Sequence, residues 1–330
     1  MRAGVLGAGS WGTALALLLA RNGHEVCLWG HDPAHVARLA QARENVQFLP
    51  GARFPQSLKP CAELRDALVD MDLVLVVVPS HAFDATLLRL REHLTDGQGV
   101  AWATKGLEAS SGRFLHDVAR GLLGERPLAV VSGPNFAREV ALGLPTATTV
   151  ASRDDAFARR VAQMLHGPDF RAYTSTDITG VEIGGAVKNV LAIACGVADG
   201  LGFGANARAA LITRGLAEMV RLGLACGGQR DTFMGLAGVG DLVLTCTDDQ
   251  SRNRRFGLAL GRGDQVETAL QNIGQVVEGV RAAREVTRLA REHGIEMPIS
   301  EQVEQLIDGS CDPRRAVAAL LAREPRAEGV

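Results

Sequence analysis

The stretch "GVLGAGSWGTALA" constrains this chain more than any other. It places Gly7, Gly9 and Gly12 in the order G-x-G-x-x-G. The apolar run 2–6 before it predicts a strand, 11–22 a helix and 25–29 a second strand. Within a strand–helix–strand unit that spacing is a specific signal for dinucleotide binding. Gly7 allows the tight turn, Gly9 lets a pyrophosphate approach the backbone, and Gly12 lets the helix pack on the strand. The free N–H groups at the helix start then face the phosphates. Ser10 and Trp11 are expected in the loop over the dinucleotide.

The same alternation continues. Strands are expected at 72–78, 99–103, 127–132, 146–151 and 170–174, and helices at 33–43, 61–69, 81–93, 111–123 and 153–166. Fully apolar strands alternating with helices imply a parallel sheet covered on both faces. From 179 the pattern is helical, at 181–199, 206–227, 231–236, 251–261, 265–272, 278–293, 299–308 and 312–322. The expected fold class is α/β: a Rossmann-type doubly wound sheet over 1–178, then an all-helical domain over 179–330. The tail after Arg323 is expected to fray.

Composition excludes several classes. A net charge of −2 and 4% aromatics leave no basic footprint or stacking surface for nucleic acid. No uninterrupted apolar run approaches the ~18 residues of a membrane span. Glycines, Ser10 and Trp11 interrupt the N-terminal run before a signal-peptide core forms. The cysteines at 27, 61, 195, 226, 246 and 311 form no CxxC or CxxH, so no metal site is expected. Their wide, irregular spacing suggests reduced thiols and a cytoplasmic protein.

The dinucleotide is left open between NAD and NADP. Asp32 stands 20 residues after Gly12, where an acid can bind ribose hydroxyls. Gly30 and His31 precede it, and His31 could lie near a 2′-phosphate or on a solvated turn.

Basic residues carry the next signal. Of 35 Lys plus Arg, only Lys59, Lys105 and Lys188 are lysine. Lys188 lies in the apolar "GGAVKNVLAI". A buried lysine can lose its proton, whereas an arginine effectively cannot. Hydride transfer to a carbonyl needs such an acid or base. A snorkelling helix lysine is the alternative. Lys105, in "VAWATKGLE", follows a strand end, where ligands of doubly wound sheets bind. Lys59 has no comparable setting and is read as surface. "PSH" at 79–81 is expected to line the cofactor groove. In "SGPNFA", Gly133 and Pro134 set a turn and Asn135 offers a donor and an acceptor. Asp241, in "GVGDLVLT", is either a helix N-cap or a partner for a buried lysine. Ser251, Arg252 and Asn253, in "QSRNRRFG", read as a phosphate clamp at a helix start or a solvated basic face. Glu278, in "GQVVEG", either caps a helix or meets the cofactor.

Taken together and in order, GAGSWGTALA, WATKGLE, SGPNFA, GGAVKNVLAI, GFGANARAALITRG, GLAGVGDLVLTCT, QSRNRRFG and GQVVEG resemble the bacterial NAD(P)-dependent glycerol-3-phosphate dehydrogenases. The resemblance runs from residue 2 to about 320. It implies reversible reduction of dihydroxyacetone phosphate to sn-glycerol 3-phosphate with NADP or NAD, feeding glycerophospholipid synthesis, by a cytoplasmic homodimer. It further implies that Lys188 passes the proton and that Lys105 contacts substrate and cofactor. Gly133, Asn135, Asp241, Ser251, Arg252 and Asn253 would line the substrate site. Ser10, Trp11, His31, Ala137, Arg252, Val276 and Glu278 would bind the nucleotide. Two rival readings remain: a hydroxy-acid dehydrogenase of the same plan, and a nucleotide-binding redox sensor without catalysis.

Overall fold

The structure, a computed structural model, describes residues 1–108 and 111–322. The tail expected to fray lies outside the described residues. The chain forms two compact units. One comprises Met1–Thr104 with Arg113–Ile178; the other comprises Lys105–Gly112 with the chain from Thr179.

The first unit holds strands β1 (Arg2–Leu6), β2 (Glu25–Trp29), β3 (Glu44–Asn45), β4 (Leu49–Arg53), β5 (Leu58–Cys61), β6 (Leu73–Val76), β7 (Val100–Trp102), β8 (Leu128–Ser132), β9 (Thr146–Ser152) and β10 (Phe170–Ser175). Eight of them form one sheet in the order β10-β9-β8-β7-β6-β1-β2-β5. β3 and β4 make a separate antiparallel hairpin. β1 lies between β2 and β6, so the winding reverses beside it. That reversal opens the crevice where doubly wound sheets take ligands. The central strands are apolar and buried on both sides, as helices on both faces require. Those helices are α1 (Ser10–Arg21), α2 (Pro33–Ala42), α3 (Phe83–Arg91), α4 (Leu115–Leu123), α5 (Ala137–Leu142) and α6 (Asp155–Leu165).

Four local expectations are corrected. First, β8 and β9 run antiparallel, because only the short α5 joins them and no full crossover intervenes. Second, 61–69 is not an α-helix. β5 ends at Cys61 and a single 3₁₀ turn follows at Leu64–Ala67. The carbonyl of Ala67 presses so close to Gly4 that a Cβ there would meet it at 1.7 Å. Third, α4 begins at Leu115 rather than 111, after Gly112 adopts φ +68°. Fourth, Cys27 and Cys61 form a disulfide, with Cα atoms 6.2 Å apart. Cys27 pairs with Lys59 and Trp29 with Cys61, so the cysteines are diagonal neighbours on adjacent strands. Cys195, Cys226, Cys246 and Cys311 are free thiols.

The second unit is helical: α7 (Ile178–Gly200), α8 (Gly204–Ala225), α9 (Arg230–Phe233), α10 (Asp241–Thr247), α11 (Arg252–Gly261), α12 (Val266–Ile273), α13 (Glu278–Glu292), α14 (Pro298–Ile307) and α15 (Pro313–Leu321). α7 is long and apolar enough to cross a membrane by length and composition, but 94% of that stretch is buried inside the protein. It is the core helix of this unit. α9 ends at Phe233, short of the expected 236, and a π-helical turn at Leu236–Gly240 leads into α10.

Candidate active site

In the first unit the glycine fingerprint has the expected mechanics. Gly7 takes φ +126°, and a Cβ there would meet the carbonyl of Val77 at 2.3 Å. At Gly12 a Cβ would meet the carbonyl of Gly7 at 1.8 Å. At Gly9 it would meet no described atom within 4 Å. Two glycines are therefore demanded by packing, while the third leaves open space at the N-cap of α1. No side chain caps that helix end, so its first N–H groups face this space. The loop is braced from behind. Asn45 Nδ2 donates to the Ala8 carbonyl at 3.0 Å and to Thr13 Oγ1 at 2.8 Å. Ser10 and Trp11 belong to the first turn of α1 rather than to the loop. Ser10 Oγ donates to the Phe48 carbonyl, fixing the β3–β4 hairpin there. Trp11 Nε1 is buried with no hydrogen-bond partner among the described residues. An open backbone cradle, a free helix N-terminus and an unpaired buried donor together suit a dinucleotide.

Asp32 is the N-cap of α2 and accepts from Ala34 N–H at 2.9 Å. Its carboxylate is engaged in helix capping, while His31 beside it is exposed. Further along the sheet, Gly133 packs on Thr148, where a Cβ would meet the Thr148 Cα at 2.8 Å. Asn135 Nδ2 donates to Thr146 Oγ1 and the Ala147 carbonyl, both at 2.8 Å. That leaves its Oδ1 buried with no partner among the described residues. Ala137 opens α5.

The second unit assembles Lys105, Lys188 and Asp241, which stand far apart in sequence. Lys188 Nζ donates to Asp241 Oδ1 at 2.5 Å and to Thr245 Oγ1 at 3.0 Å. Lys105 Nζ donates to the other carboxylate oxygen at 2.7 Å. Asp241 is the first residue of α10, not its N-cap, and is fully buried. Lys188 is 6% exposed, so it does not snorkel. The approach of the two helical segments explains the pairing. A Cβ at Gly184 would meet the Ala237 carbonyl at 2.2 Å. Lys188 and Asp241 stand four residues beyond those two positions. The glycine thus lets α7 touch the π turn, and the charged pair meets one turn further on.

One carboxylate serves two lysines, of which Lys188 is buried and Lys105 partly exposed. Burial lowers Lys188 to about 7; Asp241 opposes this and Lys105 reinforces it. Burial pushes Asp241 up, but Lys105 and Lys188 outweigh it and hold the carboxyl below its usual range. A lysine poised near neutrality can both give and take a proton.

The Ser-Arg-Asn cluster separates into distinct roles. Ser251 caps α11, accepting from Arg254 N–H. Arg252 Nη1 donates to Gln275 Oε1 at 3.3 Å. Burial lowers its guanidinium, with Glu278 opposing and Arg255 adding to the shift. Asn253 Oδ1 accepts from Gly279 N–H, and its Nδ2 donates to Asn189 Oδ1. One Nδ2 hydrogen remains for a ligand. Arg254 is committed to Asp199 and Asp249 and is structural. Glu278 opens α13 and Val276 is exposed. Lys59 is exposed on β5.

Sequence reasoning missed Thr245 and Gln275. Thr245 lies four residues after Asp241 on α10, the spacing that shares a helix face. The expected helices do not include 241–247, so that spacing carried no signal in the sequence. Gln275 sits in an irregular turn and carried no signal.

The chain matches the family descriptions "NAD-dependent glycerol-3-phosphate dehydrogenase N-terminus" over residues 2–158 and "C-terminus" over 177–318. It is 58% identical to glycerol-3-phosphate dehydrogenase [NAD(P)+] of Yersinia pestis (strain Pestoides F), covering 99% of this chain and 97% of that one. A crystal structure of glycerol-3-phosphate dehydrogenase from Coxiella burnetii superimposes with TM-score 0.95 at 49% identity, covering 98% and 99% of the two chains. A structure of D-mandelate dehydrogenase with NADH gives TM-score 0.66 at 15% identity, covering 96% and 99%, a likeness of fold alone.

Proposed function

This chain belongs to the NAD-dependent glycerol-3-phosphate dehydrogenase family, and we propose that Lys188 passes the proton in its reaction, the interconversion of dihydroxyacetone phosphate and sn-glycerol 3-phosphate. The observation that carries this reading is the buried Lys188–Asp241–Thr245 arrangement, with Lys188 lowered to about 7. The reduced form of NAD or NADP, when held by this chain, would supply the hydride for reduction, and the oxidised form would accept it in oxidation. In reduction, the Lys188 ammonium gives its proton to the oxygen of the substrate carbonyl as the carbon becomes an alcohol. In oxidation, the neutral amine removes the hydroxyl proton. Asp241 orients the amine, and Thr245 fixes its rotamer. Lys105 neutralises Asp241 from the other side and offers its ammonium to the substrate.

The remaining binding roles are those the family likeness implies, supported at some positions by groups the residues leave available. Arg252 at the start of α11, with Ser251, suits the phosphate of the substrate. Asn253 keeps one N–H and Asn135 one oxygen for substrate hydroxyls, and Gly133 allows close approach. The nucleotide is assigned to Gly7, Gly9, Ser10, Trp11 and Gly12, with His31, Ala137, Val276 and Glu278. His31 suits the 2′-phosphate of NADP, since Asp32 is occupied as a cap. A cytoplasmic homodimer serving glycerophospholipid synthesis completes the reading and is carried by family likeness alone.

The test is K188R. Turnover of dihydroxyacetone phosphate with NADPH is expected to fall by about 100-fold or more, the usual loss of a general acid, while NADPH binding by fluorescence is retained. Unchanged turnover removes Lys188 from the chemistry. Faster turnover of a 2-keto acid than of dihydroxyacetone phosphate by the unaltered protein would overturn the substrate assignment.

A further inference from the structure

We propose that Glu285 is a positioning residue that sets Lys105 in place by holding the backbone of Leu107. This rests on the reading above in which Lys105 meets the substrate. A lysine stem is long and flexible, so its ammonium is only as well placed as the backbone beneath it. Gly106, next to Lys105, takes φ +115°, so the backbone turns sharply there. Leu107 then buries its side chain to 1% exposure. Its N–H donates to Glu285 Oε2 at 3.4 Å.

Glu285 lies on α13 and is 6% exposed. A buried carboxylate requires donors to be tolerated, and Leu107 N–H is one. Burial lifts Glu285 to about 7; the Leu107 hydrogen bond counters this, Glu278 adds to it, and Arg281 and Arg288 oppose it. α13 meets the same segment again at Gly112, where a Cβ would meet Arg288 Nη2 at 1.8 Å. Between these points Glu108 turns back on the segment and accepts from Ser111 N–H at 2.7 Å. Glu285 thus ties the residue two positions after Lys105 to a rigid helix, and Asp241 takes the ammonium at the other end.

A double-mutant cycle in the full-length enzyme tests this, with kcat and KM for dihydroxyacetone phosphate as readout. K105A alone is expected to lower kcat/KM by about 100-fold, and E285A by about 10-fold, the scale of a misplaced contact. The double variant is expected to match K105A, because Glu285 acts through Lys105. E285Q, whose amide oxygen still accepts from Leu107, is expected to recover activity to within about 3-fold of the parent, the size of one neutral hydrogen bond or less. Equal losses from E285A with and without Lys105 would overturn the proposal, as would E285Q as damaged as E285A. If K105A leaves kcat/KM unchanged, the role given to Lys105 fails first, and that result is distinct from additivity. Should E285A fold poorly, E285D, one methylene short of Leu107, carries the same cycle.

Discussion

Lys188 and Asp241, 53 residues apart, are joined at 2.5 Å because Gly184 and Ala237 touch one helical turn earlier. The close backbone approach fixes the distance between the helices. The side chains then have little choice of partner.

The pH dependence should have opposite signs in the two directions. Lys188 is lowered to about 7. With the proton passing through Lys188 as proposed, reduction needs the ammonium, so its kcat/KM is expected to fall as pH rises through 7. Oxidation needs the free amine, so its kcat/KM is expected to rise through the same point. Asp241 pulls the Lys188 value upward, so D241N should move both inflections below 7. Steady-state rates from pH 5.5 to 9 in both directions decide it; inflections unmoved in D241N would show that another group titrates.

Gly9 and Gly12 should respond differently to alanine. A methyl at Gly9 meets nothing described within 4 Å, whereas at Gly12 it strikes the Gly7 carbonyl. G9A is expected to keep its melting temperature yet bind NADPH at least about 10-fold more weakly, since a methyl blocks close backbone approach. G12A is expected to lose stability by about 1–3 kcal/mol, as overpacked interiors do. Thermal melts and fluorescence titration read both. Tight NADPH binding by G9A would remove the cradle from the nucleotide site.

Glu218 should give stability a pH slope unrelated to catalysis. Its carboxylate is 1% exposed and accepts from Ile299 N–H, Ser300 N–H and Ser300 Oγ at the start of α14. Burial raises it from 4.5 to about 7 against those hydrogen bonds and Arg221. Folded Glu218 therefore keeps a proton that the unfolded chain has lost, and stability falls as pH climbs from 4.5 to 7. E218Q lacks this titration. Its urea midpoint relative to the parent is expected to rise across that window and stay flat above it. A constant difference at all pH values would refute the assignment.

The alternating strands and the glycine turn were legible because local patterns determine them. So was the burial of Lys188, the one lysine in an apolar helix of a chain that otherwise mostly uses arginine. The Lys105–Asp241 contact was not legible, because the two residues stand 136 positions apart in the chain. The antiparallel β8–β9 pair and the Cys27–Cys61 bond escaped for a related reason. Strand direction and diagonal neighbours are properties of the assembled sheet. Asp32 matched a ribose-binding spacing yet became a helix cap, since a carboxylate before Pro33 meets the nearest free N–H first.

The segment Lys105–Gly112 gives the chain a discontinuous architecture. The helical unit borrows one of its two central cations from the middle of the sheet unit's sequence. A break at residue 178 would therefore strand Asp241 with a single lysine in the C-terminal fragment, while the N-terminal fragment carried the other away. The cluster is not portable: neither fragment could be exchanged, expressed alone or fused elsewhere with Lys105, Lys188 and Asp241 all present.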